Sequence, residues 1–184
     1  MLSYDEIPGV ISAQALAEHL KLLANYEKML GKTDNALFST FPIKPDMTNP
    51  LHNHMKVQSF ALNSIILHNL YFNNITPNGC ESSSDKLHRL FTAYKSRENL
   101  LHEVKTIGMV SRGWVMLGQS LFNGEFRIFS IDSHDEGSPV CYNPILILDT
   151  WEHAYWMDWG TNKSGYLERI AENVNWDVVS RRLA

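Results

Sequence analysis

Asp149-Thr150-Trp151-Glu152-His153-Ala154-Tyr155-Trp156 follows directly on the apolar run Ile145-Leu146-Ile147-Leu148. The string sets a carboxylate and an imidazole four residues apart among aromatic side chains. A hard oxygen ligand beside a borderline nitrogen ligand suits iron, manganese or zinc better than calcium or magnesium. Two ligands do not complete a site, and the rest of the chain must supply two more.

The chain has eight histidines: His19, His52, His54, His68, His88, His102, His134 and His153. Two stand out by context. His19 lies one step from the apolar positions Leu16, Leu20 and Leu23. His68 lies within Leu62-Asn63-Ser64-Ile65-Ile66-Leu67-His68-Asn69-Leu70-Tyr71-Phe72, a run that is apolar over much of its helical surface. A buried imidazole needs a partner for each ring nitrogen, and a metal supplies one. A core histidine bonded to a carbonyl or water is the alternative on these residues alone.

The wider chain sets the frame. Its 184 residues are 44% hydrophobic and 11% aromatic, enough apolar material for a globular fold. No apolar run approaches the length of a membrane span. The start, Met1-Leu2-Ser3-Tyr4-Asp5-Glu6, is acidic and lacks the basic and apolar regions of a signal peptide, so a cytoplasmic location is the default expectation. A net charge of -4 without a basic cluster argues against nucleic acid. The two cysteines, Cys80 and Cys141, have no zinc-knuckle or redox-pair spacing and read as free thiols.

Ser12 to Leu30 reads as a helix capped by Ser12, with Leu16, Leu20, Leu23, Tyr26 and Leu30 in a three-and-four rhythm and Gly31 as its stop. Residues 39–51, with Pro42, Pro45 and Pro50, read as a connection. A second long helix is expected from Val57 to Asn73, before Pro77-Asn78-Gly79, and a third from Asp85 to Lys105. Three strand-like runs follow at 113–117, 125–130 and 145–148, the first two joined by the hairpin signal Asn123-Gly124. A closing helix is expected from Ser164 to Leu183. Helices first, then strands, then a helix point to an α+β chain.

The stretch around Asp149 and His153 resembles the metal-binding signature of the iron/manganese superoxide dismutases, D-x-W-E-H-A-Y. Ile11-Ser12-Ala13-Gln14-Ala15-Leu16-Ala17-Glu18-His19 is similar to that family's first-helix ligand motif. Leu67-His68-Asn69-Leu70-Tyr71-Phe72-Asn73-Asn74-Ile75-Thr76-Pro77-Asn78 is similar to its second, and Gly165-Tyr166-Leu167 and Val174-Asn175-Trp176 fit its tail. The resemblance implies a long N-terminal helical hairpin, residues 1–80, and a C-terminal α/β domain, residues 81–184, with a three-stranded antiparallel sheet. It implies one iron or manganese ion per subunit, held by His19, His68, Asp149 and His153 with a fifth position open to water or hydroxide. It also implies a homodimer and an antioxidant oxidoreductase that disproportionates superoxide to oxygen and hydrogen peroxide by one-electron metal cycling. These residues do not choose between iron and manganese.

Departures from the family pattern fall around the entrance. The family's gateway tyrosine aligns with Glu27, Tyr26 falling one residue early, and a helix turns about 100° per residue. Its gateway histidine aligns with Leu23, and a tyrosine that reaches across the dimer aligns with Trp156. An indole can donate a hydrogen bond but cannot shuttle a proton as a phenol does. One position for the glutamine that supports metal-bound solvent is Ser64, too short to replace it. The other aligns with His134, which becomes the candidate for that role, its alternative being a solvated loop residue. Trp114 and Trp151 match the family's aromatic wall, and Met116 replaces a second tryptophan. Glu152 matches the carboxylate that bonds the ligand histidine of the partner subunit. The altered entrance opens a different reading as well, a metalloprotein of this family repurposed for another metal-dependent reaction on a larger substrate.

Overall fold

The computed structural model describes residues 2, 4–37 and 50–184. Two long helices, α1 (Ala13–Leu37) and α2 (Pro50–Asn73), are followed by α3 (Asp85–Ala93) and α4 (Arg97–Val110). Three strands come next: β1 (Trp114–Ser120), β2 (Phe126–Ile131) and β3 (Tyr142–Asp149). The chain ends in α5 (Glu152–Trp159), α6 (Lys163–Glu172) and α7 (Trp176–Arg182). The α+β order expected from the sequence is the order found. No helix among the described residues is long and apolar enough to cross a membrane.

α1 and α2 pack antiparallel: Asp34 meets Gln58 at one end, and His19 meets Phe72 at the other. Ser12 caps α1 as expected, its Oγ accepting from Ala15 N. Gly31, however, does not end the helix. Thr33 is buried and its carbonyl lies 2.6 Å from His54 Nε2 of α2, so contact with the neighbouring helix carries α1 past a glycine that costs only about 1 kcal/mol. Leu20, expected in the apolar stripe, is exposed. α2 starts at Pro50, seven residues before the expected Val57, because proline is well suited to the first helical position. The rest of the expected connection, residues 39–49, lies outside the described residues.

The single helix expected over Asp85–Lys105 is two. Lys95 has φ 69° and Ser96 caps α4 by accepting from Asn99 N. The closing helix is likewise divided, because residues 173–175 spend their backbone groups on the chain leaving α2. Thr76 N donates to Asn173 O, Cys80 N to Val174 O, and Asn175 N to Asn74 O. Asn175 then caps α7.

The sheet has the order β2-β1-β3, antiparallel throughout, and β1 is buried along its whole length. Its register places Trp114 opposite Asp149. Asn74, at the end of α2, is wholly buried and mimics a strand: its Nδ2 donates to Ile147 O and its Oδ1 accepts from Ile147 N, both at 2.9 Å. Arg182 donates to the same Oδ1 and to the Leu70 and Ile145 carbonyls. This clamp fixes the helical pair against the strand that ends at Asp149. At the other side, Ser12 N donates to Asp158 Oδ2 and Trp159 Nε1 to Val10 O, which sets the start of α1 against the end of α5.

The seam between residues 74–80 and 173–176 leaves no room for a side chain at Gly79. Its φ is +65°, and a Cβ there would stand 2.7 Å from Glu172 O. Gly79→Ala is expected to cost roughly 2 kcal/mol or more of stability in urea denaturation; a change below about 0.5 kcal/mol would contradict this reading of the seam.

Candidate metal centre

Each of four elements delivers one side chain to the same point. His19 comes from α1, His68 from α2, Asp149 from the end of β3 and His153 from the first turn of α5. The Nε2 atoms of His19, His153 and His68 lie 3.2, 3.4 and 3.8 Å from Asp149 Oδ2. All four candidate ligand atoms fall within 4.8 Å of one another. His19, His68 and Asp149 are buried, whereas the His153 side chain is 30% exposed.

The other faces of these groups are already engaged. His68 Nδ1 lies 2.6 Å from Ser64 O and must donate to it, which leaves a lone pair on Nε2. Asp149 Oδ1 accepts from Trp151 N at 2.9 Å, so Oδ2 is the free oxygen. His19 Nε2, His68 Nε2 and Asp149 Oδ2 are buried with no hydrogen-bond partner. Buried polar atoms left unpaired cost about 1–3 kcal/mol each, and a cation that accepts all their lone pairs removes that cost at once. Three imidazole nitrogens and one carboxylate oxygen can hold one transition-metal ion.

Electrostatics favour the ligand forms. Burial lowers the His68 imidazole to about 4, so it stays neutral with its lone pair available. Burial alone would raise the Asp149 carboxyl. The neighbouring imidazoles of His153 and His19 outweigh it and hold Asp149 far below the usual carboxylate range.

An aromatic shell closes around the candidate ligands. Phe72 stands edge-on to His19 at 4.9 Å and Trp114 edge-on to His68 at 4.8 Å. Trp151 stacks on His153 at 6.2 Å. Tyr166 donates its hydroxyl to the Asp149 backbone carbonyl, and Tyr71 meets the same hydroxyl at 3.0 Å.

His134 is buried against this shell rather than solvated in its loop. Trp114 Nε1 donates to His134 Nδ1 at 3.1 Å, and His134 Nε2 lies 3.2 Å from the Tyr26 hydroxyl. Because an indole can only donate, neutral His134 carries its hydrogen on Nε2 and offers it to Tyr26. Burial lowers His134 to about 4 and, with the Asp149 charge, raises Tyr26. Tyr26 thus faces the site although it falls one residue before the family's position. Seven residues past His19 is two helical turns, about 20° out of phase, whereas eight residues is about 80° out. Glu27 accordingly points to solvent. Leu23 is buried in the core, and Trp156, 52% exposed, borders a cavity beside His19 and His153. Ser64 Oγ bonds Phe60 O and does not reach the centre.

Two contributors escaped the sequence reading, the Ser64 carbonyl and Phe60, whose ring meets His134 at 4.7 Å. Their signal was present: Phe60, Ser64, His68 and Phe72 recur every four residues along one face of α2.

Known proteins are similar in sequence to this chain. Residues 82–182 match the family described as iron/manganese superoxide dismutases, C-terminal domain. The protein from Aquifex pyrophilus named superoxide dismutase [Fe] is 31% identical across 97% of this chain and 74% of its own length. Its counterpart in Aquifex aeolicus is 30% identical over the same shares. Superoxide dismutase [Mn] 1 of Halobacterium salinarum is 32% identical across 64% of this chain and 59% of its own.

The buried histidines set the acid stability of the metal-free protein. Below about pH 6.5 the unfolded chain binds protons at residues 68 and 134 that the folded chain refuses until about pH 4. The unfolded state then holds more protons, so stability falls as pH drops through that window, by roughly 3 kcal/mol from His68 alone. Asp149, depressed in the fold, adds a further loss once pH enters the ordinary carboxylate range. Thermal melts of metal-free protein between pH 7 and 4 should trace this decline; a flat profile would contradict it.

Proposed function

This chain belongs to the iron/manganese superoxide dismutase family, and from that premise we propose that it disproportionates superoxide to oxygen and hydrogen peroxide. As a family member it is a metal-dependent oxidoreductase. The observation that carries the proposal is the convergence of three Nε2 atoms and one carboxylate oxygen, of which His19 Nε2, His68 Nε2 and Asp149 Oδ2 are buried and find no hydrogen-bond partner. One iron or manganese ion, held by His19, His68, Asp149 and His153, supplies the one-electron redox chemistry when bound.

The chain's own residues supply orientation and protons. Ser64 O fixes His68 by holding the hydrogen on Nδ1, and Trp151 N fixes Asp149 through Oδ1. Trp114 holds His134 so that its Nε2 hydrogen points at Tyr26, whose own hydroxyl hydrogen is free to serve the site. Phe72, Tyr71 and Trp114 keep bulk water from the buried side. In this reading Tyr26 and His134 form the proton route, replacing a gateway that Leu23, Glu27 and Trp156 can no longer make.

The proposal includes a homodimer and a division at residue 80 between the helical pair and the sheet-bearing unit. Among the described residues neither the Glu152 carboxylate nor His153 Nδ1 has a hydrogen-bond partner, and a second copy would let each bond the other. A cytoplasmic setting belongs to it too, with Cys80 and Cys141 as free thiols.

A second reading has its own observation. An apolar cavity of about 520 Å³, bordered by Leu22, Trp156 and Met157, opens beside His19 and His153 and would admit a larger substrate to the metal. Spectral shifts of the loaded protein with small aromatic ligands would favour it, and a response confined to azide-like anions would count against it.

Stopped-flow decay of superoxide, on protein with quantified iron and manganese, tests the first reading. Decay per metal far above that of the free ion is expected, and decay no faster than the free ion would overturn it. Asp149→Ala should lose the metal. Tyr26→Phe should keep it and slow turnover on the order of a hundredfold, the usual scale for a lost proton donor.

A further inference from the structure

We propose that Arg112 pairs with Glu152 of the partner subunit across a two-fold axis, making this arginine the charge partner of the carboxylate that reaches the neighbouring metal site. The inference rests on the dimer proposed above. Arg112 belongs to none of the motifs that relate this chain to its family.

Arg112 and Glu152 line one open cavity of about 530 Å³ that also contains His153 and Lys163. Both side chains are exposed, and neither makes an ion pair or side-chain hydrogen bond with any described residue. Lys163 is already engaged, its Nζ donating to Ser111 O at 2.6 Å. Arg112 is therefore the cation of this cavity whose donors make no side-chain hydrogen bond to a described residue, next to a carboxylate that accepts none.

Its guanidinium is not loose. It lies over the Trp151 ring at 5.2 Å, and Trp151 stacks on the ligand His153. An arginine can rest its flat face on an indole while its edge donates to a carboxylate, and ordering it beforehand reduces the entropy lost on pairing.

A two-fold interface turns the same patch against itself, so a patch that carries unpaired charge must carry both signs. This one does. One carboxylate oxygen of Glu152 can accept from His153 Nδ1 of the other copy and the second from Arg112. The neighbouring surface points to the same occupant. Trp156 and Met157, 52% and 50% exposed, adjoin His153 on α5, and exposed tryptophan, methionine and arginine together mark protein interfaces.

The test is a double-mutant cycle on metal-loaded full chain, with dimer dissociation followed by analytical ultracentrifugation. Arg112→Ala should weaken the wild-type dimer about tenfold or more, a modest value for truncating one member of an interfacial charge pair. In a Glu152→Gln background the same substitution should change the dimer less than about twofold, because its partner charge is gone. Equal weakening in both backgrounds, or none in either, would overturn the pairing and leave the dimer standing. A wild-type monomer at all concentrations would overturn both. Neither result bears on the dismutase reading, which superoxide decay decides. Far-UV dichroism and metal content verify each variant, and Arg112→Gln, which removes the charge and keeps much of the side chain, carries the same cycle if Arg112→Ala loses either.

Discussion

The buried Oδ2 of Asp149 is the constraint on which the rest of the structure depends. Three imidazole nitrogens face it from three helices, and no protein group satisfies the set. A fold can tolerate such an arrangement only if something outside the chain completes it and if the four donors are held in place before it arrives. Both conditions shape the molecule. The Asn74 clamp ties α2 to β3, the β1–β3 register sets Trp114 opposite Asp149, and the contacts of Ser12 and Trp159 align α1 with α5.

Protonation follows from the same geometry. A neutral His68 and an ionised Asp149 are the forms a metal ion needs; burial favours the first, and the neighbouring imidazoles favour the second against burial. His134 is held neutral by burial as well. Its Nδ1 is occupied by an indole that can only donate, so its hydrogen has one direction to go. The direction ends at Tyr26, which lies on the helix that also carries His19.

The convergence of the four candidate ligands and the α+β order were legible in the sequence because both rest on local patterns: a D-x-x-x-H pair, two histidines on apolar helix faces and three strand-like runs. Helix ends were less legible. Gly31 is a stop signal that packing against α2 overrides, while Lys95 and residues 173–175 break helices through a positive φ and long-range pairing. α5 went unread because its residues were claimed by the metal motif. The side chain of Tyr26 could not be oriented by counting residues from a family pattern, although the phase of an ideal helix already favoured position 26 over 27. The role of Ser64 lay in its backbone, where side-chain chemistry gives no signal.

Anomalous diffraction from crystals of the loaded protein at the iron and manganese absorption edges would locate the metal directly. One peak per chain, within bonding distance of the Nε2 atoms of His19, His68 and His153 and of Asp149 Oδ2, is the predicted result. A peak elsewhere, or one that leaves any of these four atoms unbound, would contradict it.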